Sequence, residues 1–394
     1  MYNMPKGFSS AAIKAGLKNN DYDLAIIKSE LPSTVSALYT QNKLQAAPIQ
    51  FSKNNDKNKI ELLIVNSKSA NSLTGKKGYQ DVLDIAKHSS DVFKCKKENI
   101  MMASTGIIGI PLEVEKIKNA ITNSKLNTGF DENIIKAIQT RDRIDKVYKT
   151  QLQIEDKTAN FLAIAKGSSI VHPNMATVLL FIFTDLNVEK KTLNKAFKYA
   201  VEHTLNRISI DGETSTNDMA LIMANGALEN KQINEKNKKL FLELQQKLEE
   251  ICAVISKMIL LDGEGMSKTI MVSVKKAKTQ KDAFEIANKI SKSNLVKILF
   301  ISNEIEHRKL LSTIGNMNVN VDKMSITVDN INIYKNGKIN ENQDELKILN
   351  NSLNKDKNEH HIILDCGYNT KFEDYYYFTD ISQEYISIHS SYNI

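Results

Sequence analysis

Cysteine is scarce: Cys95, Cys252 and Cys366 are the only three in 394 residues. Odd in number and widely spaced, they fit neither a disulfide framework nor a zinc site, and they point to a reducing compartment. No apolar run reaches the ~18 residues that a membrane-spanning helix needs. Met1 to Gly7 leads straight into polar sequence, so no secretory leader is expected. A basic block is missing too. The net charge of +7 comes from lysines spread along the whole chain, with no RNA- or DNA-binding motif, which reads as composition bias rather than a nucleic-acid footprint. A cytoplasmic protein with neither nucleic-acid nor membrane partners is the expectation. Hydrophobic residues make up 41% and charged residues 25%, so the chain reads as globular and long enough for two or three domains.

The most informative stretch is Ala165 to Asp185, AKGSSIVHPNMATVLLFIFTD. Its first part is a polar loop marked by glycine and proline, and Thr177 to Thr184 reads as a buried strand. Thr177 sits at the seam, directly after Met175-Ala176. Cleavage of the Ala176–Thr177 bond creates an α-amine on the residue that carries the hydroxyl, and that amine can serve as the hydroxyl's own base. Its pKa of about 7.7–8.0 leaves a usable neutral fraction near neutral pH. The plainer reading is an ordinary strand threonine.

A second stretch, Asn99 to Gly109 (NIMMASTGIIG), is a β-rich apolar run that ends in the small-residue turn Ser104-Thr105-Gly106. Glycine permits a backbone that presents its N–H outward, and Thr105 adds a hydroxyl. Two donors converging on one point are what a tetrahedral oxyanion requires. The same residues also suit a plain strand-to-helix turn, with Pro111 opening the helix and Leu112, Val114, Ile117 and Ile121 forming its buried stripe.

Helices are expected over 82–88, 187–207 and 234–260, and strands over 23–27, 35–40, 60–66, 161–165, 270–274 and 293–301. Ser325–Val328 and Ile331–Tyr334 read as a hairpin, and Asn340–Glu359 as a surface insertion. In NRISIDGETSTND (206–218), Asp211, Glu213 and Asp218 offer hard oxygens that could be mistaken for a metal site. No metal is expected.

These motifs resemble, in order and over most of the chain, those of the ornithine acetyltransferase family, the ArgJ-type enzymes of arginine biosynthesis. KGSSIVHPNMAT is similar to the family's KGSGMIxPNMAT, STGIIG to its STGxIG, AIQTRD to AIMTTD, NRISIDGETSTND to NRITVDGDTSTND, and DGEGMSK to DGEGATK. The resemblance implies an α/β fold with layered α-β-β-α packing of the self-cleaving N-terminal-threonine type. It implies a catalytic domain over 1–280 and a smaller C-terminal α/β domain over 281–394, with an α segment 1–176 and a β segment from Thr177. It implies Thr177 as nucleophile, Thr105 and Gly106 as oxyanion donors, and Thr140, Lys166, Glu264 and His389 as substrate contacts. Two segments of each kind would assemble as a heterotetramer.

The activity implied is ping-pong transfer of acetyl from N2-acetylornithine to glutamate, small-molecule substrates, with no cofactor and with acetyl-CoA left open as a second donor. The sequence also departs from the family. Ser169 stands for a glycine, Ile170 for a methionine and Arg141 for a threonine, and Glu304 to Leu310 has lost DPNWGRI. The C-terminal Asn and Thr of the family are His389 and Ile394. Two other readings stay open: an amidase or aminopeptidase on the same scaffold, and an uncleaved, non-catalytic binding protein.

Overall fold

The computed structural model describes residues 3–172, 178–301, 306–354 and 358–390. The chain divides into two units. One comprises Met1–Gly167, Pro173–Asn206 and Thr214–Ile259, the other Ser168–His172, Arg207–Glu213 and Leu260–Ile394.

Along the first part of the chain lie strands β1 (Phe8–Ile13), β2 (Leu24–Tyr39), β3 (Ile60–Asn66), β4 (Ile100–Ser104), β5 (Asn127–Thr128), β6 (Lys146–Ile154), β7 (Lys157–Lys166), β8 (Leu179–Thr184), β9 (Ile208–Ser209) and β10 (Met219–Ala224). The helices between them are α1 (Ala47–Asn55), α2 (Gly75–Phe93), α3 (Val114–Thr122), α4 (Asn133–Ile138), α5 (Lys190–His203) and α6 (Lys238–Leu261). All these strands except β9 form one sheet in the first unit, in the order β4-β3-β2-β10-β8-β7-β6, with β1 on β2 and β5 on β1.

β2 links the two halves of that sheet. Leu24 to Lys28 pairs with β3, and Thr34 to Tyr39 with β10. The register breaks between Lys28 and Ser33, around Pro32, which has no N–H to give a ladder.

Alternation along the strands sorts side chains into layers. Leu24, Ile26, Leu62, Ile64, Ile100 and Met102 pack with Phe51, Val82, Ile85, Ile117 and Ile121 of α1, α2 and α3. Their neighbours Ala25, Ile27, Leu63, Val65, Met101 and Ala103 pack instead against Ile164, Phe181, Phe183, Leu221 and Met223 of the other half-sheet. Leu180, Ile182 and Ile222 are fully buried on the remaining face. There α5 contacts β2, and Glu250 of α6 accepts from Tyr148 of β6 at 2.7 Å. The apolar residues of α5 (Leu193, Ala196, Phe197, Ala200, Val201) recur at helical spacing and are all buried. The result is a helix–sheet–sheet–helix stack, the layered α/β arrangement expected. Each large apolar side chain buried in it contributes roughly 1.5–3 kcal/mol.

The second unit carries β11 (Thr269–Ala277), β12 (Ser325–Val328), β13 (Ile331–Lys335), β14 (Lys338–Ile339), β15 (Glu359–Asp365) and β16 (Phe372–Thr379), with α7 (Gln280–Lys292), α8 (Asn294–Leu299), α9 (His307–Ile314), α10 (Gln343–Asn354) and α11 (Gln383–Ser390). Its sheet runs β14-β13-β12-β15-β11-β16-β9. The sequence puts the start of this domain at residue 281, whereas β11 pairs with β15 and β16 and so belongs to it.

Two segments differ from their sequence reading. Ser293–Ile301 is helical, not a strand: the Ser293 hydroxyl accepts from Val296 N and caps α8. Val296, Leu299 and Phe300 face inward while Leu295 and Ile298 are exposed, a helical period hidden inside an apolar run. Asn340–Glu359 is not a bare insertion either. It contains α10, which anchors itself by burying Leu349 and Leu353. α3 also starts later than Pro111, at Val114, although Leu112, Ile117 and Ile121 are buried as read.

Candidate active site

In the first unit the site is built at strand ends. β4 lies parallel to β3 and stops at Ser104. The Thr105 N–H donates to Asn66 O at 3.0 Å, and the Ile107 N–H to Lys68 O at 2.9 Å. Gly106 between them has φ +132°, and a Cβ there would lie 2.2 Å from Lys68 C and O. Only glycine fits this close approach. The turn is held from the other side by Asn217, whose Nδ2 donates to Ser104 O at 2.9 Å and Ala70 O at 2.6 Å. Among the described residues the Gly106 N–H has no hydrogen-bond partner.

Lys166, the last residue of β7, reaches this turn. Its Nζ donates to Thr105 Oγ1 at 3.3 Å and to Thr140 Oγ1 at 2.8 Å. The four residues Thr105, Gly106, Thr140 and Lys166 are therefore brought together.

Beneath them lies Asp142, whose side chain has 0% exposure. It accepts from Lys146 Nζ at 2.9 Å, from Gly167 N at 2.7 Å and from Thr140 N at 3.2 Å, and lies 3.9 Å from Lys166 Nζ. Burial alone would raise its pKa. The Lys166 and Lys146 ammoniums and the Gly167 N–H outweigh that and hold it at about 2. One buried carboxylate thus faces two ammoniums, which leaves the cluster cationic and suited to a carboxylate-bearing ligand.

Asp142 and Lys146 were not singled out from the sequence. The available signal was the last residue of AIQTRD followed by a lysine four positions on.

In the second unit Glu264 is 4% exposed. Its Oε1 accepts from Ser168 Oγ and Ser169 Oγ, both at 3.1 Å, and its Oε2 lies 3.2 Å from His389 Nε2. Glu264 and His389 are thus neighbours. Ser169, one of the departures noted above, supplies one of the hydroxyls. The next residue, Ile170, takes a left-handed φ of +53°, a conformation costly for a β-branched side chain.

Asp211 accepts from the backbone N–H groups of Ile170, Val171 and Glu213. It clamps a loop, and among the described residues no group of three or more His, Cys, Asp or Glu could hold a metal ion. Tyr385, whose ring lies tilted against that of His389 with centroids 4.3 Å apart, is a further neighbour that sequence reading missed. Ala176 and Thr177, the expected cleavage pair, lie outside the described residues, as does Ile394.

A helix–sheet–sheet–helix stack carrying a glycine-dependent turn beside a lysine–threonine cluster suits an enzyme of the acyl-transferring class, the class to which the family relationship assigns this chain. The chain belongs to the ArgJ family, whose model matches residues 9–394. It is similar to the arginine biosynthesis bifunctional protein ArgJ of Caldanaerobacter subterraneus subsp. tengcongensis, 39% identical over 84% of this chain and 81% of that protein. It is likewise similar to the protein of the same name from Oceanobacillus iheyensis, 36% identical over 98% and 95% of the two chains. A solved structure of the Bacillus halodurans protein argJ is 35% identical, covers 44% of this chain and 92% of that one, and has a TM-score of 0.42.

Proposed function

We propose that this chain transfers the acetyl group of N2-acetyl-L-ornithine to L-glutamate, in two half-reactions through an acetyl-Thr177 intermediate. The observation that carries this reading is the chain Thr140–Lys166–Thr105 ending at the Gly106 turn. It combines a cationic grip with two hydrogen-bond donors that suit an oxyanion.

The precursor first cleaves itself between Ala176 and Thr177. The freed α-amine takes the proton of Thr177 Oγ1, which attacks the acetyl carbonyl. The Thr105 hydroxyl and the Gly106 N–H donate to the oxyanion, and its collapse expels ornithine, whose amine takes up the proton. Glutamate's amino nitrogen then attacks acetyl-Thr177, and N-acetylglutamate leaves as the Thr177 hydroxyl is restored. Lys166 and Thr140 hold the substrate carboxylate, and Glu264, with His389 beside it, receives the amino group.

The relatives' names carry the word bifunctional. In line with that, acetyl-CoA is proposed as a second donor to the same threonine, with no bound cofactor. The enzyme is proposed to be cytoplasmic, and to assemble from two α and two β segments. Among the described residues no helix is long and apolar enough to cross a membrane.

The test is an acetyl-transfer assay from N2-acetylornithine to glutamate with the purified protein and with Thr177→Ala. Activity that depends on Thr177 supports the reading. Equal turnover by both proteins rejects the nucleophile, and amino-acid release from peptides without acetyl transfer rejects the substrate class.

A further inference from the structure

Lys18 is a half-buried lysine whose ammonium donates to backbone alone. Tyr22 O lies at 3.1 Å, Lys136 O at 3.1 Å and Gln139 O at 2.8 Å. An ammonium has three N–H groups, so all of them are committed. The loop that carries Lys18 is itself fixed. Asp23, fully buried just ahead of β2, accepts from Ala15 N at 2.7 Å, Leu17 N at 2.6 Å and Lys18 N at 2.9 Å.

Two of the three carbonyls lie at the end of α4, a helix of six residues. A helix leaves its last carbonyls without intrahelical partners, and one so short does not hold its shape alone. Burial of Ile134, Ile135, Ala137 and Ile138 seats it, and Lys18 ties down its exit. Gln139, where the backbone turns extended at φ −73° and ψ 154°, immediately precedes Thr140. The Gln139 carbonyl and the Thr140 N–H belong to one rigid peptide plane. Lys18 holds the oxygen of that plane, and Asp142 Oδ2 accepts its N–H at 3.2 Å. The plane is thus gripped at both edges, directly before the Thr140 Oγ1 that accepts from Lys166 at 2.8 Å.

We propose that Lys18 is a positioning residue for the carboxylate of the amino-acid substrate. By clamping the Gln139–Thr140 peptide opposite Asp142, it aims the Thr140 hydroxyl at Lys166 and at the bound carboxylate. This rests on the reading of Thr140 and Lys166 as the carboxylate grip. Lys18 acts through Thr140 and touches no substrate, its own N–H groups being spent on the backbone.

Calorimetric titration of the purified full chain with L-ornithine tests this, in the wild-type protein, Lys18→Met, Thr140→Ala and the double variant. Lys18→Met should bind about tenfold more weakly, the scale of one charge-assisted hydrogen bond. In the Thr140→Ala background the same change should cost little, because the residue it acts through is already truncated. Lys14→Met, which removes a neighbouring lysine that donates to Asn20 O, should bind as the wild type does. Should the methionine variant fail to fold, Lys18→Gln, a shorter and neutral donor, gives the same cycle in a milder form. Unchanged affinity in the Lys18 variant, or an equal loss with and without the Thr140 hydroxyl, overturns the proposal. Ornithine binding too weak to detect in the wild type rejects the Thr140–Lys166 grip itself, a separate outcome that takes this proposal with it.

Discussion

Lys166 Nζ donates to Thr105 Oγ1 at 3.3 Å. This bond occupies a lone pair of the threonine oxygen and leaves the hydroxyl proton free to point elsewhere. With the Thr105 N–H already donated to Asn66 O, the hydroxyl is the donor this residue has left for a reacting group. Thr105→Val keeps the shape and removes that donor. Acetyl transfer should fall roughly 100- to 1,000-fold, equivalent to ~2.7–4 kcal/mol of transition-state stabilisation, and Thr105→Ser should restore most of it. Steady-state kcat for the three proteins checks this.

Lys166→Met separates binding from chemistry. The ammonium bridges Thr105 and Thr140 and faces Asp142, so its loss removes both the carboxylate grip and the polarisation of Thr105. KM for N2-acetylornithine should rise about tenfold or more, with a smaller fall in kcat. An unchanged KM would remove Lys166 from substrate binding.

Gly106→Ala tests the turn itself. The added Cβ would meet Lys68 C and O at 2.2 Å at a φ of +132°, and the obstacle is backbone, which cannot swing aside. The Thr105–Gly106 donors should shift, with acetyl transfer down at least about 100-fold and a lowered unfolding midpoint. A variant of full activity would show that the oxyanion is stabilised elsewhere.

Asp142→Asn leaves Lys146, with 0% side-chain exposure, without its carboxylate. Breaking a buried pair in this way costs about 3–5 kcal/mol, which denaturant unfolding would read. The pH dependence has a definite sign. The folded carboxyl is held at about 2, below the unfolded value of about 3.9. Its contribution is therefore complete above about pH 4 and is lost as pH falls toward about 2. The acid slope of stability in that window should shrink in Asp142→Asn.

Much of this was legible in the residues. The small-residue turn at Thr105-Gly106 follows an apolar run, and the buried stripes of α5 and α6 have helical spacing. Asp142 was harder to see because its importance comes from burial beside Lys146 and Lys166, residues that only strand pairing brings together: Lys146 faces Ala165 in the β6–β7 register. Ser169 read as a lost glycine, whereas its hydroxyl serves Glu264, a contact made 95 residues away. α8 was misread because the six apolar residues among the nine from Ser293 to Ile301 suit either period, and the capping role of Ser293 decides between them. The division of the motif at 206–218 between the two units, with Asp211 clamping one loop and Asn217 bracing the Thr105 turn, has no signature in a linear pattern.

The central claim is an acetyl-enzyme on a self-generated N-terminal threonine. Intact-mass analysis of the purified protein, before and after addition of N2-acetylornithine, tests it most directly. The account predicts two fragments, 1–176 and 177–394, with the second gaining one acetyl group that glutamate then removes. Thr177→Ala should remain one chain. A wild-type protein that stays whole, or a cleaved one that gains no acetyl group, would contradict the account.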